Sequence, residues 1–190
     1  MIKRPHITEA SEIKSQNGIQ EAPPIHKVKE RYKFLASLSD LGNYMFHGSQ
    51  RDEISELVTH RESSDTNAFG RREQVFATPD VFWAMWFALL DRTQIGLTSN
   101  GCYINQDEKT SYYEFAIDAE SFHVNPHPLA KGWIYILKPN TFAEQNKELT
   151  YQNLYLAEYG SRVSVEPIAK IEVYPSDFPY TQHIKPYRKT

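Results

Sequence analysis

The sequence predicts an α+β domain, with a helix-rich first half that holds two short buried strands and a strand-rich second half. Three observations carry that prediction. Apolar residues recur at three- and four-residue steps over 25–41, which places them on one helix face. A nearly continuous apolar run over 81–90 follows a strong helix start at Thr78-Pro79-Asp80. From Tyr103 onward, β-branched and aromatic segments alternate with Pro- and Asn-containing turns, as in strands and their connections. A chain of 190 residues with 40% apolar content is long enough for one core and short for two.

Residues 1–23 are polar and run into Ala22-Pro23-Pro24; they read as a mobile N-terminal arm or a loosely docked lead-in. A single domain is expected over 24–180, with a basic tail over 181–190 that carries Lys185, Arg188 and Lys189. In the first helix Ile25, Val28, Tyr32, Leu35, Leu38 and Leu41 share a face, and Gly42-Asn43 ends it. Tyr44-Met45-Phe46 is then a short strand closed by His47-Gly48-Ser49. Ser49 with Asp52 predicts the cap of a short helix bearing Ile54, Leu57 and Val58. Residues 59–73 show no apolar period and read as an exposed loop. Val75-Phe76-Ala77 is the second strand.

The second helix is predicted over about 79–91, because Thr78 can accept from orphan amides, Pro79 is preset for the first turn and Asp80 complements the helix dipole. Being apolar nearly all round, it must be buried. Strands are predicted over 111–117, 133–137, 154–158 and 168–174.

Several function classes are disfavoured. Met1-Ile2-Lys3-Arg4-Pro5-His6 lacks the apolar stretch of a secretory signal, and the single cysteine, Cys102, has no disulfide partner in the chain. A cytoplasmic setting is therefore expected, with delivery by a dedicated secretion system left open. The run over 81–90 is about half of what a bilayer-spanning helix needs, so no membrane partner is expected. The net charge of −3 offers no general attraction to phosphate backbones, which disfavours nucleic acid as a partner. His123 and His127 have a helical metal-ligand spacing, but Pro126 breaks the helix and no carboxylate or cysteine completes the set, so no metal is predicted. There is no phosphate loop and no dinucleotide fingerprint of the Rossmann type. Cys102 has no basic neighbour in sequence to activate it as a nucleophile.

Three segments ask for more than a core supplies: His47-Gly48-Ser49 after a strand, Val75-Phe76-Ala77 leading into a Trp-rich helix, and Glu158-Tyr159-Gly160-Ser161. In this order they resemble the ADP-ribosyltransferase fold of the diphtheria-toxin and poly(ADP-ribose) polymerase type, over roughly residues 40–178. The resemblance implies two facing antiparallel sheets, a split β-sandwich with flanking helices, and NAD as co-substrate in the cleft between them. It implies that His47 hydrogen-bonds a ribose hydroxyl of NAD and that the Gly48 backbone holds the nicotinamide carboxamide, with Ser49 completing the motif. Phe76 and Ala77 match the second element, where the family has a tyrosine before them and Val75 stands here. Ala84 and Trp86 match the small residue and the ring that stacks on nicotinamide; Phe76 and Trp83 are the rings able to compensate for the stacking contact that the family's tyrosine makes and Val75 does not. Glu158-Tyr159 matches the third element.

The chemistry accounts for those residue types. Breaking the nicotinamide-ribose bond builds positive charge on the sugar, and a fixed carboxylate stabilises that state more than the ground state. Glu158 is the expected carboxylate and His47 the expected orienting group. The implied activity is transfer of ADP-ribose to a macromolecular acceptor, expected to be a protein, or to water. Two alternatives keep the fold. One is an RNA 2′-phosphotransferase, disfavoured by the net charge and by Glu158; the other is a non-catalytic module that binds NAD, ADP-ribose or a protein, for which Val75 speaks.

Overall fold

A computed structural model of the chain describes residues 1–4, 20–21, 28–59, 68–105, 110–146, 149–151 and 154–188. Most of the expected arm, residues 60–67 of the expected loop and residues 189–190 of the tail lie outside these. In chain order come β1 (Ile2–Lys3), β2 (Gln20–Glu21), α1 (Val28–Asp40), β3 (Met45–Ser49), β4 (Val75–Ala77) and α2 (Val81–Leu89). There follow β5 (Gly101–Asn105), β6 (Thr110–Glu114), β7 (Ala116–Asp118), α3 (Ala119–Val124) and β8 (Gly132–Leu137). The last strands are β9 (Glu144–Gln145), β10 (Leu149–Tyr151), β11 (Leu154–Leu156), β12 (Tyr159–Ser161), β13 (Ala169–Val173) and β14 (Lys185–Tyr187).

The class is α+β, with several mostly antiparallel sheets and few helices. The sheets run β1-β6-β5-β11-β10, β2-β13-β8-β3, β4-β12-β9 and β14-β7. Their common core is organised by α2, whose residues are buried apart from Phe87. On one side α2 presses against β3 and β8 at two glycines. A Cβ on Gly48 would lie 1.9 Å from the Ala84 carbonyl oxygen, and one on Gly132 would lie 2.0 Å from that of Ala88. Elsewhere on the helix, Trp83 and Trp86 reach Phe115, between β6 and β7, with ring centroids 6.1 and 5.0 Å away. Helix and sheet can come this close only where the side chain is a hydrogen.

Two local expectations give way to tertiary contacts. The cap of α2 is Asp80, not Thr78: the Asp80 carboxylate accepts from the Phe82 and Trp83 amides, while Thr78 Oγ1 accepts from the Asp80 amide. The helix predicted after Ser49 does not form. Residues 50–58 are instead fastened outward, by Leu57 pairing with Val165, by the Tyr135 hydroxyl donating to the Arg51 carbonyl at 2.7 Å, and by Lys170 Nζ donating to that of Asp52 at 2.9 Å.

The described parts of the 1–23 segment are docked, as a lead-in would be. β1 pairs with β6, β2 pairs with β13, and the Arg4 guanidinium reaches Ser39, Asp40 and Asp80. The tail is docked as well, because β14 pairs in parallel with β7. Among the described residues, no helix is long and apolar enough to cross a membrane.

Candidate functional site at the splay of β3 and β4

β3 runs through the whole His47-Gly48-Ser49 motif, pairing His47 with Tyr135 and Gly48 with Ile134 of β8. On its other edge β3 meets the chain just after β4, where Phe46 and Thr78 exchange both backbone hydrogen bonds at 2.8 and 3.0 Å. Backbone groups of alternate residues point to the same edge of a strand. The N–H and C=O of Gly48 therefore point off the edge that Phe46 uses.

Beyond Phe46 the two strands splay, and the His47 ring occupies the opening. Its Nδ1 lies 2.8 Å from the Phe76 carbonyl oxygen, the group that a continued ladder would have given to β3. A carbonyl only accepts, so Nδ1 carries the hydrogen and Nε2 of the neutral ring is an acceptor.

The third motif segment lies against the second. β12 pairs with β4 in the register Tyr159 with Ala77 and Gly160 with Phe76. Continuing that register sets Glu158 beside Thr78, and with strands about 4.8 Å apart, Phe46 and Glu158 are roughly 10 Å apart across Thr78. Gly160 leaves room for the Gln74 side chain, since a Cβ there would lie 2.1 Å from Gln74 Oε1 and displace it. Gln74 is buried and donates through Nε2 to the Phe69 carbonyl, which ties the turn before β4 to the site. Phe69 in turn packs edge-on against Phe76, with centroids 5.8 Å apart.

On the far side of β12, Asn146 continues the ladder from β9 and is only 2% exposed. Its backbone N–H donates to the Glu158 carbonyl at 2.9 Å, and its side-chain Nδ2 donates to Glu158 Oε2 at 3.0 Å. Glu158 itself is half-buried. Burial holds the hydroxyls of Tyr135 and Tyr159, both near this corner, above their ordinary range, so they remain neutral donors.

His47, Gly48 and Ser49 thus lie on β3, Phe76 and Ala77 on β4, and Glu158 directly before β12, which pairs with β4. Val75 and Ala77 are buried in a small cluster with Tyr135, while Phe76 is half-buried. Trp86 departs from its expected role. It is 0% exposed, its indole N–H donates to Asn100 Oδ1 at 3.2 Å, and it packs on Phe115 and Phe178. It sits in the core, on a helix that packs against the Gly48 face of β3.

Asn146, Gln74 and Tyr135 carry no sequence signal of a role at the site, because each acts through a partner that only the sheet register brings near. Among the described residues no group of histidine, cysteine and carboxylate side chains is arranged to hold a metal ion. Comparison of the chain with protein-family models, with curated proteins and with solved structures finds no match.

Proposed function

We propose that the chain is an NAD-dependent ADP-ribosyltransferase that works at the splay of β3 and β4. One observation carries this reading: three motif segments far apart in sequence are neighbouring strands, and the Gly48 peptide edge faces the opening beside His47. A primary carboxamide offers one acceptor and two donors in a plane, which complements a peptide N–H and C=O on a strand edge. Gly48 would therefore take the nicotinamide amide as one more strand takes a ladder partner.

His47 Nε2 would accept from a ribose hydroxyl and fix the sugar. Glu158 would face the growing positive charge on the sugar as the nicotinamide bond lengthens, lowering the barrier in proportion to how well it is fixed. For the stacking ring, half-buried Phe76 at the opening replaces Trp86. ADP-ribose then passes to a nucleophile of a macromolecule, a protein by preference, or to water.

The test is release of nicotinamide and transfer of labelled ADP-ribose from NAD by the purified chain. Glu158→Gln should lower the rate by at least a hundredfold, the scale of losing one transition-state contact. Equal rates for wild type and Glu158→Gln would end the enzymatic reading.

A further inference from the structure

We propose that Asn146 is the positioning residue for the Glu158 carboxylate, an inference that rests on Glu158 acting on NAD. The two are cross-strand neighbours on adjacent strand ends, joined through backbone and side chain together. Side chains of such a pair lie on one face of the sheet within reach of each other. The Asn146 amide is itself buried, so it is held by packing, and its bond to Oε2 selects one rotamer of a side chain that is otherwise half-open to solvent.

The chemistry of the donor matters as much as its place. Lysine or arginine at this position would orient the carboxylate but cancel the charge that the sugar cation needs. Aspartate would match the shape of Asn146 but set a second negative charge on Glu158. A neutral amide orients without neutralising. The backbone bond between the same residues already fastens β9 to β12, so the side-chain bond is not required for the sheet to form.

The experiment compares wild type, Glu158→Gln, Asn146→Ala and Asn146→Asp for nicotinamide release, with melting temperatures measured alongside. Asn146→Ala should lower kcat on the order of 10- to 100-fold, the scale of a 1 Å misplacement, with KM for NAD unchanged. Asn146→Asp should be slower still at pH 8 and recover as pH falls toward 5, because the introduced carboxyl, once protonated, regains a donor to Glu158. A purely structural role has no reason to give that recovery.

If wild type is active, Glu158→Gln is inactive and the Asn146 variants match wild type, the positioning role is overturned and the enzymatic reading stands. It is overturned equally if the loss appears in KM or tracks melting temperature, or if Asn146→Asp shows no recovery. If wild type and Glu158→Gln are equal, the enzymatic reading fails and this inference fails with it.

Discussion

Asp80 and Glu158 are carboxylates at the two ends of the corner that β4 makes with its neighbours, and their surroundings are opposite. Asp80 is 1% exposed and has both oxygens engaged inside the protein. Oδ1 takes the Phe82 and Trp83 amides, and Oδ2 takes the hydroxyls of Ser111 at 2.6 Å and Tyr113 at 2.7 Å, with Arg4 at 3.4 Å. Glu158 is half-buried, and the donor that orients its Oε2 is a neutral amide. The first arrangement makes a carboxylate into scaffold, locking a helix start to β6 and the N-terminal segment. The second keeps a carboxylate oriented within reach of solvent. The sequence context separates them poorly; the depth of burial separates them well.

The largest effect expected from this contrast is on stability at Asp80. Asp80→Ala leaves two helix amides and two hydroxyls without their acceptor and removes one of the two carboxylates that Arg4 meets, and should cost about 3–5 kcal/mol, the scale of breaking a buried pair. Chemical denaturation measures it, and a cost below about 1 kcal/mol would show the network to be slack.

An intermediate effect is alkaline. Burial pushes the Tyr113 hydroxyl well up, with the Asp80 charge adding to it; burial does the same to the Cys102 thiol and to Tyr180. The unfolded chain then gives up protons that the folded one keeps, from near the ordinary values of 9.0 for cysteine and 10.0 for tyrosine. Stability should be level below that range and fall above it, by about 1.4 kcal/mol per pH unit for each such group. Urea midpoints between pH 8 and 11 follow this, and Tyr113→Phe should flatten the slope. An unchanged midpoint across that range would place these groups in contact with solvent.

The smallest effect sharpens the other side of the contrast. Glu158→Gln should change stability by no more than about 0.5 kcal/mol, because the site is half-open and an amide oxygen still accepts from Asn146. A large loss would make Glu158 a second scaffold carboxylate.

Much of the α+β layout was legible in the sequence because hydrophobic period and length speak for themselves in α1, α2, β4, β8 and β13. Val75-Phe76-Ala77 was read with the bounds it has. What was not legible depends on distant partners. Gly48 and Ser49 look like a turn, yet they continue β3, since the bare glycine is what admits α2 against the sheet. Thr78 looks like the helix cap, yet the buried donors of Ser111 and Tyr113 fix Asp80 in that role. Residues 49–58 begin with a capping pattern, but the Tyr135 hydroxyl and a strand-like bridge to Val165 take their backbone.

At the site, the three motif segments were legible as short residue patterns, whereas the splay between β3 and β4 and the Asn146 bond were not. Both are products of register. Trp86 shows the reverse error: an aromatic at a motif position is still first a large apolar side chain, and here the core claims it.

The strands nearest the two ends of the chain both attach to one short stretch, β1 to β6 and β14 to β7, so Ile2 meets Tyr113 and Lys185 meets Ala116. Neither has a partner until the 110–118 stretch has formed. For β1 the loop to be closed is long, since Arg4 and Asp80 already lie 76 positions apart. Long closures are slow to be repaid by contacts. The two outer strands therefore assemble last in folding and open first in the native protein, and amide exchange should enter the molecule through them while the β3–β8 ladder stays protected.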